Sequence, residues 1–483
     1  MNYITKNNHL KNLSTFLFYD YETFGTDTAL DKAAQFACIR TDINLNIIDD
    51  PQCFYCFPPD DYLPDPSSIL ITEITPQRTK EYGTNEYNFS RKIYNILKKP
   101  NTCIIGYNNI NFDDEITRNL FYRNFFEPYE WSWKNGNSRW DLLNILRACY
   151  ALRPSGIQWP KNNLGLTSFK LSDLTKANGI IHTHAHDAAS DVYATIEIAR
   201  LIKNKKNKLF NFFFQYRKKN NIYSFLNSEK LNPIVYVSSF FGSIRHNFSC
   251  ILPIILHEKN PNIFISIDLL SEHIEELISL FKKKLLNTSI KNFFNLGIVL
   301  VYLNRCPILS TMKIMRKKDF ERLNFDYNLY NKNISLIKKN NFIFQKIKIL
   351  FSYKHNAEQT ENVDLKIYDS FFSSYDKNLI KIVRNTKPLN LKNLNLNFRD
   401  ARLNELFFRY RARNFLYTLN EVEKKIWFDH CIKIFNKNSL KEYMIKIKRL
   451  LHEHALDQKK IKLINDLLDY VISISKKFNK KLI

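Results

Sequence analysis

Two carboxylates stand two residues apart in the run Phe16-Leu17-Phe18-Tyr19-Asp20-Tyr21-Glu22-Thr23-Phe24-Gly25. The run is apolar and aromatic, which predicts a buried strand. Side chains alternate faces along a strand, so Asp20 and Glu22 point the same way. Like charges sharing one buried face repel, and a divalent cation relieves that repulsion; Mg²⁺ or Mn²⁺ suits such hard oxygen ligands. A strand end with solvated acids is the plain alternative for an isolated Asp-x-Glu, so the reading depends on partners further along.

Two acidic segments supply candidates. A short apolar run, Thr102 to Tyr107, feeds Asn108-Asn109-Ile110-Asn111-Phe112-Asp113-Asp114-Glu115. Acids that open a helix favour the positive end of its dipole, and that accounts for the cluster without any site. Asp113 is otherwise a third carboxylate aimed at a metal, and residue physics leaves open both that choice and the choice of Asp113 over Asp114. Later comes His182-Thr183-His184-Ala185-His186-Asp187-Ala188-Ala189-Ser190-Asp191, followed by a helix predicted over Val192 to Ile202. Three alternating histidines suggest zinc, but no cysteine stands at the tight spacing a zinc site uses. The other reading is a single functional histidine placed just before a helix that presents Asp191. Cys53-Phe54-Tyr55-Cys56 has no second pair at zinc spacing and sits in a strand-like run, Gln52 to Phe57, which predicts packing.

Residues 116–159 hold four of the five tryptophans, Trp131, Trp133, Trp140 and Trp159, among Arg118, Arg123, Lys134, Arg139, Arg147 and Arg153. Rings alternating with guanidinium groups make a stacking platform for single-stranded bases, with phosphate contacts beside it. An aromatic core with snorkelling arginines is the competing reading. Trp131 and Trp133, in Pro128-Tyr129-Glu130-Trp131-Ser132-Trp133, are the two expected at the surface.

The elements that must position these residues follow from composition and pattern. A chain of 483 residues, 45% of them hydrophobic, has room for two to four domains with real cores. Lys plus Arg outnumber Asp plus Glu by 72 to 47, an excess that suits a polyanionic partner, nucleic acid first. The abundance of Lys, Asn, Ile and Phe beside only 9 glycines also fits an AT-biased genome, so part of the charge reflects codon drift. Eight scattered cysteines, with no apolar core of signal-peptide length in Met1 to Ser14, predict a reduced cytoplasmic protein. The most apolar stretches, such as Phe293 to Leu303, are too short to span a bilayer.

Strand-like runs at Gln35 to Thr41 and Asn46 to Phe57 and a helical spacing over Tyr87 to Leu97 predict an α/β domain over 1–205, closed by the charged Lys203 to Lys208. Short β-rich runs at Ile234 to Val237, Phe248 to Leu256, Ile263 to Ile267 and Gly297 to Leu303 predict a small barrel in 206–360. Helices are expected there at Ser271 to Leu286 and Asn333 to Tyr353. Helical periodicity dominates 361–483, at Leu403 to Phe415, Leu419 to Phe435 and Ser439 to Ile474, before a Lys-rich tail at Lys476 to Lys481. Runs such as Lys282-Lys283-Lys284 read as solvated faces.

Several stretches together carry a family resemblance: Phe16 to Thr26, Gly106 to Glu115, Asn137-Ser138-Arg139-Trp140-Asp141-Leu142-Leu143, Leu174 to Gly179, Ala185 to Thr195, Asn362 to Ser373 and Tyr410 to Phe415. They resemble the bacterial exonuclease I family, in the His-containing subclass of the DEDD exonucleases, over nearly the whole chain. The resemblance implies an α/β RNase H-like exonuclease domain, an SH3-like β-barrel domain with helices and an all-α C-terminal domain. It implies processive 3′→5′ digestion of single-stranded DNA to 5′-mononucleotides in repair and recombination, by a monomer recruited through the acidic C-terminal tail of single-stranded DNA-binding protein. The chemistry that fits uses two Mg²⁺ ions, or Mn²⁺, gathered by Asp20, Glu22 and Asp191 with Asp113, and His186 as general base, since imidazole ordinarily titrates near working pH. By the same resemblance Arg118, Tyr129, Trp133 and Arg147 contact DNA. One departure stands at Lys170, where the family typically carries an arginine against the substrate phosphate; lysine keeps the charge and loses the bidentate fork. An RNA-trimming 3′ exonuclease and a single-strand-binding scaffold without catalysis are the competing functions.

Overall fold

The computed structural model describes residues 15–226, 231–283, 289–352 and 360–478. Met1 to Ser14, Lys284 and the end of the Lys-rich tail lie outside the described residues. The fold comprises two compact units, one drawn from Ser138–His182 and Ala194–Glu358, the other from Leu10–Asn137, Thr183–Tyr193 and Gln359–Ile483.

The unit that begins the fold is built on a sheet in which β1 (Thr15–Thr23), β2 (Ala33–Thr41), β3 (Gln52–Cys56), β4 (Gly83–Thr84) and β5 (Thr102–Gly106) stand in the order β4-β3-β2-β1-β5. β1 is antiparallel to β2 and parallel to β5, so it is hydrogen-bonded on both edges. Its alternation does what the sequence predicts. Leu17, Tyr19 and Tyr21 enter a core with Phe36, Phe89 and Ile116, while Asp20 and Glu22 share the opposite face with the buried Phe16 and Phe18.

The helix Glu86–Leu97, capped by Asn85, and the helix Asp113–Arg123 cover the first of these faces. Two short helices, Pro66–Thr72 and Pro76–Tyr82, lie before Asn85; each carries proline in its first turn and an oxygen cap, from Asp65 and Thr75.

The C-terminal helices gather a cluster of their own around Trp427, Cys431 and Phe435, and they also share the core of this sheet. Val363, Ile367, Leu403, Leu406, Tyr410 and Phe415 join the same apolar cluster as β1 and β2. The helix Ala401–Asn414 places Arg409 and Arg413 one turn apart on one face. Arg413 reaches two carboxylates at once, with Nη2 2.7 Å from Asp61 and 2.6 Å from Asp364, and Arg409 Nη1 lies 3.2 Å from Asp364. Burial pushes both aspartates up, but Arg413, helped by His430 at Asp61 and by Lys32 and Arg409 at Asp364, outweighs it and holds both below the usual carboxylate range. The predicted helix Ser439 to Ile474 is two, Lys437–Glu453 and Gln458–Lys477, because Asp457 turns its side chain back to cap the second.

The other unit contains β6 (Ser138–Asp141) and a five-stranded antiparallel sheet of β7 (Ile234–Val237), β8 (Phe248–Leu256), β9 (Ile263–Asp268), β10 (Ile298–Tyr302) and β11 (Ile308–Thr311), in the order β10-β9-β8-β7-β11. Ile234, Ile251, Phe264, Val299 and Leu309, one from each strand, meet in one core. The predicted helix Asn333 to Tyr353 is broken into Tyr327–Lys339 and Phe342–Ser352, where the Asn340 side chain turns back onto the Leu336 carbonyl at 2.9 Å. Among the described residues no helix is long and apolar enough to cross a membrane.

Replacing Arg413 by alanine leaves two buried carboxylates without their shared cation. The expected loss is about 3–5 kcal/mol of unfolding free energy, read from urea denaturation midpoints; Arg413→Lys, which keeps the charge without the fork, falls between.

Candidate active site

Because β1 lies inside the sheet, its two acids have fixed positions, and a third is brought to them by a helix start. Carboxylate oxygens of Asp20, Glu22 and Asp191 all lie within 4.8 Å of one another. Asp191 stands in the first turn of the helix Ala188–Lys205, longer at both ends than predicted. Hard oxygen donors at this spacing fit a divalent cation of the Mg²⁺ or Mn²⁺ class. Among the described residues this trio is the one grouping of metal-ligating side chains, so His182, His184 and His186 do not form a zinc cluster.

The structure separates Asp113 from its neighbour. Asp113 accepts a 3.1 Å hydrogen bond from the Tyr21 backbone N–H, which places its carboxylate against β1 between Asp20 and Glu22. Asp114 turns into the core, where it accepts from the Tyr19 hydroxyl at 2.5 Å and from Asn109 Nδ2 at 3.2 Å. Tyr19 faces away from Asp20, so the two adjacent acids serve opposite sides of one strand.

The electrostatics are those of a site built for a cation. Burial, followed by Asp113, Glu22, Asp191 and Asp187, holds Asp20 well above the usual carboxylate range. Burial, with Asp191, Asp113 and Asp187, pushes Glu22 up to about 8. No arginine or lysine is among these causes, in contrast to the Arg413 cluster.

His186 is exposed, on the turn immediately before the Asp191 helix, with a left-handed φ of 68°. A non-glycine residue in that region is uncommon and persists where its surroundings hold it. The following residue, Asp187, was not singled out from sequence. It caps the helix by accepting from Ser190 N–H at 3.1 Å, and it contacts Gln35 of β2 at 3.1 Å. An aspartate just before an Ala-Ala-Ser helix start is a legible cap signal. Gln35 left no signal, because its role depends on a residue 152 positions away.

The expected DNA-contacting residues fall in both units. In the site unit, Arg118 is held by Glu115, and its guanidinium lies 5.9 Å from the Tyr129 ring centre. Tyr129 donates to the Ile367 carbonyl at 3.3 Å and packs on Phe371. Trp133 is 61% exposed, as expected. Trp131 is not: it is 2% exposed, with its indole N–H on the Pro128 carbonyl, because the short 3₁₀ turn Glu130–Ser132 rolls it into the core. In the other unit, Trp140 is buried against Phe210 and Phe214. There Arg147 donates to Asn144 Oδ1 at 2.9 Å, while the exposed Lys170 precedes the helix Leu171–Ala177. Lys170 lines an open cavity of about 760 Å³ with Lys161 and Lys176. Cys53 and Cys56 are free thiols on β3; Cys56 is buried, as the packing reading expects, whereas Cys53 is exposed.

Comparison with known proteins converges on one family. Residues 17–199 match the family model described as Exonuclease, 217–353 the Exonuclease I SH3-like domain, and 361–474 the Exonuclease I C-terminal domain. The chain is 60% identical to Exodeoxyribonuclease I of Buchnera aphidicola subsp. Schizaphis graminum, over 98% of each chain. A crystal structure of E. coli Exonuclease I in complex with a dA16 oligonucleotide superposes with a TM-score of 0.91 at 43% identity, covering 95% of this chain and 100% of that one. A crystal structure of SSB/Exonuclease I in complex with the inhibitor CFAM superposes with a TM-score of 0.89 at 43% identity, covering 96% and 100%. An RNase H-like exonuclease domain, an SH3-like domain and a helical C-terminal domain thus occur together in one chain, with an acidic site suited to divalent metal. The chain belongs to the exodeoxyribonuclease I family and is an exonuclease.

Proposed function

We propose that this enzyme hydrolyses single-stranded DNA from its 3′ end to 5′-mononucleotides, with Mg²⁺ at Asp20, Glu22 and Asp191. The observation that carries this reading is the meeting of those three carboxylates within 4.8 Å of one another. Asp113, held to the Tyr21 backbone, completes the acidic set. Bound Mg²⁺ supplies the positive charge that acidifies a water and offsets the negative charge building on the departing 3′ oxygen. The chain's own residues do the rest. Asp20 and Glu22 present their oxygens from the end of a strand paired with β2 along its length and with β5 up to Phe18. His186, on its exposed turn, takes the proton of the attacking water at a ring nitrogen.

Arg118, Tyr129, Trp133, Arg147 and Lys170 contact the DNA by stacking and phosphate pairing. The domain limits that fit this work are 1–205, 206–360 and 361–483. The relative captured with SSB supports recruitment of this monomeric enzyme by single-stranded DNA-binding protein in cytoplasmic repair and recombination, its acidic tail meeting a chain of net charge +25.

Digestion of a 5′-labelled single-stranded oligonucleotide with Mg²⁺ tests the central claim. A ladder shortening from the 3′ end is expected, abolished by EDTA and reduced by roughly a thousandfold or more in Asp20→Asn, with DNA binding retained. Binding without shortening in the wild-type protein overturns the assignment.

The raised Glu22 sets a pH dependence. Its proton must leave when metal binds, so the half-saturating Mg²⁺ concentration falls by roughly tenfold per pH unit on approaching about 8 and levels off above it. Stability of the metal-free protein moves with pH in the opposite direction to metal affinity. A carboxyl whose folded pKa is raised favours the folded state at low pH, and this contribution is lost as pH rises from 4.5 through about 8. Thermal melts without metal therefore decline across that window, and saturating Mg²⁺ flattens them.

At Lys170 the missing fork predicts weaker substrate engagement. Lys170→Arg is expected to lower KM by about threefold to tenfold with kcat changed by less than about twofold, and to lengthen processive runs in trap experiments. Unchanged KM and run length would remove Lys170 from the binding path.

A further inference from the structure

We infer that Gln35 is a positioning residue for the hydrolysis: it latches the His186 turn and the Asp191 helix start onto the sheet beside Glu22. The inference rests on the metal site and base proposed above. Gln35 is 1% exposed in β2 and is the register partner of Glu22 on β1. Both ends of its amide are engaged by the helix start. Nε2 donates to Asp187 Oδ2 at 3.1 Å, and Oε1 accepts from Ala188 N–H at 3.0 Å. Asp187 passes the constraint on in two ways. Its other carboxylate oxygen accepts from Ser190 N–H at 3.1 Å, and its main-chain carbonyl accepts from Asp191 N–H at 2.9 Å. On the strand side, Gln35 Nε2 also lies 3.2 Å from Cys53 Sγ and 3.3 Å from the Tyr55 hydroxyl, and that hydroxyl accepts from Arg78 Nη2 at 2.9 Å.

The latch answers a specific difficulty. Asp191 comes from a segment far along the chain and meets two carboxylates that repel it. Its neighbour Asp187 adds another negative charge to the same neighbourhood. Without a tether, the helix start would relax away from β1 whenever the cation leaves. A lysine or arginine would provide the tether but would also oppose the cation's binding. A neutral amide ties Asp187 and Ala188 down while leaving the negative potential intact. His186, with its left-handed backbone, directly precedes this pinned pair.

The test uses the full-length chain with Gln35→Met, which keeps side-chain length and loses the amide, Asp187→Ala and the double variant. Three quantities are measured: kcat and KM on single-stranded DNA, Mn²⁺ affinity by electron paramagnetic resonance, and hydrogen exchange over residues 183–191 without metal. For Gln35→Met the expectation is a kcat lower by roughly 10- to 100-fold with KM within about threefold, Mn²⁺ binding weakened by about tenfold, and faster exchange at Ala188 and Ser190. The double variant should lose less than the product of the two single losses, because both substitutions remove the shared Gln35–Asp187 contact. Two results overturn the inference. One is a folded Gln35→Met protein with a lowered melting temperature but unchanged kcat and Mn²⁺ affinity, which marks a purely structural glutamine. The other is single losses that multiply in the double variant. Should Gln35→Met not fold, Asp187→Asn carries the same readouts, since its single carbonyl oxygen cannot serve Gln35 and Ser190 together. Wild-type protein without metal-dependent digestion would fail the proposed function itself; active wild type beside an unaffected Gln35→Met fails the latch alone.

Discussion

Mutual repulsion of carboxylates in one confined space is the constraint on which this fold turns. Asp20, Glu22, Asp113 and Asp191 come from a strand, a helix start and a second helix start, and all carry the same sign. Elements that were free to move would drift apart. β1 cannot, because both its edges are hydrogen-bonded and its two faces bury Leu17, Tyr19 and Tyr21 on one side and Phe16 and Phe18 on the other. The burial that immobilises the strand also raises the cost of charging its acids, so rigidity and the demand for a cation have one cause.

The same unit handles buried acids in two different ways. Around Asp61 and Asp364 the chain supplies its own cations, and Arg413 bridges both while the C-terminal helices pack onto the sheet core. Around Asp20 and Glu22 it supplies none, and tethers the surrounding elements through neutral groups: the Tyr21 backbone for Asp113 and the Gln35 amide for Asp187. Internal pairing suits a joint that must stay closed. A net negative pocket suits an external divalent ion.

The helical C-terminal domain follows from this arrangement. Its residues Val363, Leu403 and Tyr410 fill the cluster behind β1. They therefore support the strand that carries the acids, and Ile367 and Phe371 reach Tyr129 on the same unit. A nuclease sheet and a helical segment distant in sequence thus share one core.

Local pattern was legible where neighbours in sequence are also neighbours in space. The alternation of Phe16 to Glu22 determined a strand with two acids on one face, and that expectation holds residue for residue. Helix positions were visible in period, but their breaks at Asn340 and Asp457 were not, since each depends on a side chain turning back to the backbone. Trp131 was expected outside because aromatic spacing cannot report which way a single 3₁₀ turn rolls. The motifs carried the family and the three acids, Asp20, Glu22 and Asp191, that the structure brings together. Only the tertiary structure decided that Asp113 faces the site while Asp114 faces Tyr19, and that Gln35 and Asp187 belong to it. The reason is physical: the direction of a helix start and the partner of a buried amide are set by contacts between segments about a hundred residues apart, and no local preference encodes them.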